Sequence, residues 1–86
     1  MTEQTTHRGA HVYALRTLLK LSQEALAERA GLGRDEISSL ESGRRQGTSA
    51  RVVGALARGF GLTMEQTVAL LDGSLTPAQA YKARVK

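Results

Sequence analysis

Residues 31–43 read GLGRDEISSLESG. Glycines bracket the stretch, and its two large apolar residues at helical spacing are Ile37 and Leu40. The rest of the predicted helix, residues 34–42, is polar: Arg34, Asp35, Glu36, Ser38, Ser39, Glu41 and Ser42. Burial of two side chains gives such a short helix little stability, because most helical stability in proteins comes from packing an apolar face. Its polar face therefore needs another explanation.

Working outward, residues 22–30 form a second predicted helix. Ser22 is suited to cap it, since its hydroxyl can accept from a free backbone N–H. Leu26 and Ala30 mark its buried side, and Gly31 suits the left-handed position that ends a helix. The connection GLG is so short that it forces a sharp angle between the two helices. Leu26, Ala27, Ala30, Gly31, Leu32, Ile37 and Leu40 then form one set. Ala27 is small where the helices would cross, Gly31 makes the turn, and Leu32, Ile37 and Leu40 anchor the third helix.

A first helix is predicted over about residues 10–20, with Val12, Leu15, Leu18 and Leu19 as its apolar stripe. Residues 1–9, polar and threonine-rich, read as a flexible arm. After a basic loop, RRQGTS, either Thr48 or Ser49 caps a fourth helix that buries Val52, Val53, Leu56, Ala57 and Phe60 and stops at Gly61. TMEQ, residues 63–66, is a capping box that starts a fifth helix with Met64, Val68 and Leu71 on one stripe. TPAQ, residues 76–79, is another, with Pro77 at the favoured first position. It opens a short sixth helix carrying Tyr81 and Val85.

The 86 residues make one domain rather than two. With 41% hydrophobic content, three aromatic residues and a single proline, the core must be built from small aliphatic side chains on helices, an all-α fold. The absence of cysteine excludes disulfides and thiolate metal sites and points to the cytoplasm. Neither a signal peptide nor a membrane span is evident. Twelve Lys and Arg against eight Asp and Glu leave a charge of +4, which favours an anionic partner such as nucleic acid.

The segment LSQEALAERAGLGRDEISSLESGRR, residues 21–45, resembles the helix-turn-helix of the lambda-repressor-like, Xre-type DNA-binding domains. The resemblance spans about residues 12–71. It rests on the seven small and apolar positions above, on the SQ opening and on the LESGRR ending. It implies a compact fold of five or six helices, with the Xre-type domain over residues 10–73, the helix-turn-helix at about 22–42 and a C-terminal helix over 74–86. It also implies that the third helix lies in the major groove while the second crosses the backbone. Gly33, Arg34, Asp35, Ser38 and Ser39 match the family's base-contacting positions. Arg34 can pair bidentately with guanine, and Asp35 can accept from a cytosine amino group.

Ser22 and Gln23 are the expected phosphate contacts at the start of the second helix, together with Arg44 and Arg45 in the loop. Arg16 and Glu41 match a buried ion pair that would pin the third helix to the first. The chain departs from the family in carrying Gly33 where serine is usual, and in a loop that lacks the usual proline and is about one residue longer.

The expected activity is sequence-specific binding of double-stranded DNA by a transcriptional repressor. One helix-turn-helix reads few base pairs, and related proteins act as two-fold pairs on palindromic operators, so a homodimer is expected. Its contact is placed on the fifth helix and on the segment 74–86, through Leu70, Leu75, Tyr81 and Val85. The alternative is a protein-interaction module of the same fold, such as an antitoxin or adapter. Exposed apolar residues or net acidity on the third helix would favour it; the mixed polar face followed by two arginines favours DNA. No cofactor, metal site or enzymatic constellation is expected. His7 and His11, four apart, lack a third ligand and read as part of a solvated arm. Glu24 and Glu28 read as a surface helix.

Overall fold

A computed structural model describes residues 8–43 and 49–84. The order is α1 (Arg8–Leu18), α2 (Gln23–Ala30), α3 (Arg34–Ser42), α4 (Ala50–Phe60), α5 (Met64–Asp72) and α6 (Pro77–Ala83). No strand occurs among the described residues. The all-α expectation holds, with six helices among the described residues.

Local chemistry sets most of the ends. The hydroxyls of Ser22, Ser49, Thr63 and Thr76 each accept from a backbone N–H in the first turn of the helix that follows. Gln66 and Gln79 complete reciprocal capping boxes. Glycines 31, 43, 61 and 73 close α2 to α5 at positive φ. α1 differs from the expected 10–20. It begins two residues earlier and ends at Leu18, because Lys20 adopts φ 58° and turns the chain into α2. His11 consequently lies within α1, half-buried, with its ring next to Gly73. This corrects its assignment to a solvated arm.

α4 forms the centre of the core. Val52, Val53, Ala55, Leu56, Ala57, Gly59 and Phe60 are all buried, and the helix packs on α2 and α5. A Cβ on Gly59 would come within 3.1 Å of both Ala30 and Leu26, so glycine sets the spacing of α2 and α4. α1 packs against α3, α5 and α6. Its contact with α3 is closer still. A Cβ at Gly9 would overlap the carbonyl of Leu40 and stand 2.8 Å from the Cα of Glu41. Only a residue without a side chain fits there.

Two stripes differ from expectation. Leu18 is exposed rather than part of the α1 core stripe. On α5 the buried set is Thr67, Leu70 and Leu71, whereas Met64 and Val68 face outward. Thr67 is accommodated in the core because its hydroxyl donates to the Thr63 carbonyl at 2.9 Å.

Candidate nucleic-acid interface

α3 divides cleanly into two faces. Ile37 and Leu40 are buried, while Gly33, Arg34 and Asp35 are exposed and Ser38 and Ser39 half-exposed. The five residues matched to base contacts therefore begin at the N-terminus of the helix and run along its outer side. Gly33, at φ −78° and ψ 152°, caps the helix without a side-chain acceptor. Its own N–H donates to Glu36 Oε1 at 3.0 Å. The other oxygen of Glu36 accepts from Arg51 at 2.8 Å. Glu36 is thus committed to the start of α3 and to α4.

The opposite end of α3 is fixed by charge. Arg16 of α1 donates to both carboxylate oxygens of Glu41, from Nε at 2.5 Å and from an Nη at 2.9 Å. Its other Nη donates to the Leu21 carbonyl at 2.8 Å, and its guanidinium lies 5.2 Å from the Tyr13 ring centre. The side chains retain only 11% and 6% of their exposure. The hydrogen bonds to Glu41 hold the Arg16 guanidinium charged beyond the ordinary arginine range, against the burial that opposes it. Such bidentate pairing fixes orientation as well as distance.

Gln23 joins this network, donating from Nε2 to Glu41 Oε1 at 3.0 Å. An amide nitrogen carries two hydrogens, so one remains for another acceptor. Ser22 is exposed, and its hydroxyl oxygen accepts from Ala25 N–H at 3.0 Å as the cap of α2. Arg44 and Arg45, the expected loop contacts, lie outside the described residues.

Arg51 was not singled out in the sequence, although a signal exists. A cation in the first turn of a helix opposes the helix dipole and needs a nearby anion. Glu36 is that anion, and the pair joins the first turns of α3 and α4 at the exposed surface.

The expected self-association residues separate. Leu70 has no exposure and belongs to the chain's own core, which corrects its placement at an interface. It points inward because α5 buries the Thr67–Leu70–Leu71 side against its neighbours. Leu75 is half-buried against the same core, Tyr81 is 43% exposed, and Val85 lies outside the described residues. α6 is anchored through fully buried Ala80 and packs on α1.

No group of three or more potential metal ligands occurs among the described residues. No helix there is long and apolar enough to cross a membrane.

Comparison with known families gives one match, to a model described as helix-turn-helix, over residues 12–66. That span runs from α1 into the first turn of α5 and contains every described residue of the polar surface and its supporting network. Searches of curated proteins and of solved structures returned no match.

Proposed function

Since the chain belongs to the Cro/cI-like, Xre-type helix-turn-helix family, whose members are DNA-binding regulators, we propose that it is a repressor that pairs as a homodimer on a palindromic operator. The observation that carries this reading is the division of α3, apolar residues in the core and Arg34, Asp35, Ser38 and Ser39 toward solvent. Arg34 reads guanine through O6 and N7, Asp35 accepts from cytosine, and the two serines adjust to neighbouring bases. Ser22, the free hydrogen of the Gln23 amide, Arg44 and Arg45 hold the phosphates. The reading unit is residues 10–73, acting in the cytoplasm by occupying an operator and excluding polymerase.

For the two-fold contact, Met64 and Val68 replace Leu70. Each is 48% exposed on α5, and neither is needed by the chain's own core cluster. The segment 74–86 adds Leu75 and Tyr81 at the margin.

Selection of bound sequences from a random duplex pool tests the whole reading. The expected product is an inverted repeat whose half-sites lie about 34–36 Å apart or a multiple of it. A single unrepeated half-site, bound as tightly as any repeat, would refute the dimer while leaving DNA recognition in place.

A further inference from the structure

We propose that the cleft between the end of α1, the outer side of α2 and α6 binds a small organic anion, a carboxylate carrying an aryl or short acyl body. The cleft is open to solvent along one side, has a volume of about 330 Å³ and contains no residue of α3. That volume lies at the lower end of the roughly 300–1,000 Å³ typical of small-ligand sites, room for one ring or a short chain.

Its surfaces are of two kinds. Leu18, Leu19 and Leu21 line it together with the Tyr81 ring. Leu18 and Tyr81 are two of the large apolar residues the fold leaves exposed. Lys20, Arg29 and Arg84 supply three cations to the same cleft, and no acidic residue lines it. The side chains of Lys20 and Arg29 form no ion pair with any described residue. Arg84 is already positioned: its guanidinium lies 5.0 Å from the Tyr81 ring centre, and its Nε donates to the Tyr81 carbonyl at 3.4 Å. Its terminal nitrogens remain to meet a carboxylate, which guanidinium binds bidentately.

Titration of the full chain with benzoate and with octanoate, followed by amide NMR shifts, tests the site. Benzyl alcohol serves as the neutral control. Saturable shifts are expected at Lys20, Leu21, Arg29, Tyr81 and Arg84 with both anions, and none with the alcohol. Arg29 is exposed, so Arg29→Gln preserves the fold and should weaken both anions about tenfold. Tyr81→Ala should weaken benzoate more than acetate, titrated alongside as a carboxylate without the apolar body.

The proposal is overturned if no saturable shift occurs up to about 10 mM, since a charge-assisted pair should hold a ligand of this size more tightly. It is equally overturned if the alcohol binds as well as benzoate. Perturbation of the same residues by duplex DNA, with both anions leaving them unmoved, would reassign the cations to phosphate contact and overturn it too.

Discussion

α3 and α4 have similar lengths and bound the same core, yet they are held by different forces. α4 buries seven of its eleven residues and stays in place through apolar area. α3 buries two of nine. It is held at one end by Glu36 with Arg51, at the other by Glu41 with Arg16 and Gln23, and along its side by the backbone approach of Gly9. A helix that presents a polar face to a partner cannot also be held by apolar area on that face. Directional contacts at its ends supply what burial cannot.

The comparison can be broken most sharply at Phe60. Phe60→Ala should destabilise the fold by about 3–5 kcal/mol, read by chemical denaturation, as expected where packing volume is lost. A cost under 1 kcal/mol would mean that α4 is not the centre of the core. Gly9→Ala is next, at about 3 kcal/mol, since the added methyl meets main-chain atoms that cannot rotate away. Duplex affinity should fall with it, because the displaced element is α3; a variant as stable as the parent would show that α1 and α3 are not in close contact.

Glu41→Ala should cost about 2–3 kcal/mol, somewhat below a fully buried pair because some exposure remains. The Arg16 guanidinium stays protonated throughout the accessible pH range. Its elevated pKa places loss of its contribution only in strong alkali, so stability should not fall between neutral pH and about pH 10 through this residue. A transition there that disappears in Arg16→Lys would contradict the assignment.

Arg34→Ala sharpens the contrast from the other face. It should leave stability unchanged within about 0.5 kcal/mol, while costing about 1–3 kcal/mol of affinity at the preferred site and relaxing choice at one base pair. Equal losses on every sequence would move Arg34 to the phosphates. The smallest effect belongs to the exposed pair: Arg51→Ala should cost about 0.5 kcal/mol, reduced further by added salt. A cost several times larger would place Glu36 and Arg51 among the main supports of α3.

The chain declares its helix ends well because caps are local. Ser22, Thr63, Thr76 and glycines 31, 43, 61 and 73 act on backbone groups within a few residues, so the sequence contains the whole interaction. α1 was misplaced for the same reason. Its C-terminal end is set by the left-handed conformation of Lys20, a residue type that does not announce one. On α5, Met64–Val68–Leu71 and Thr67–Leu70–Leu71 both fit a helical period. Which stripe turns inward depends on α1 and α4, which no window along α5 contains. Gly9 and Arg51 were missed because their significance lies in partners far along the chain, Leu40 and Glu36. Arg16 with Glu41 was legible only through family resemblance.

The meeting of Gly9 with the main chain of Leu40 and Glu41 bears on how such a protein acquires a new target. Main-chain contacts are indifferent to which side chains α3 carries. On the proposed reading, Arg34, Asp35, Ser38 and Ser39 can therefore be exchanged one at a time, each exchange altering what is read without altering where the helix is held. Drift toward a different DNA sequence then passes through folded intermediates at every step. Position 9 is closed to such drift: any side chain there displaces the whole helix and changes all of its contacts together.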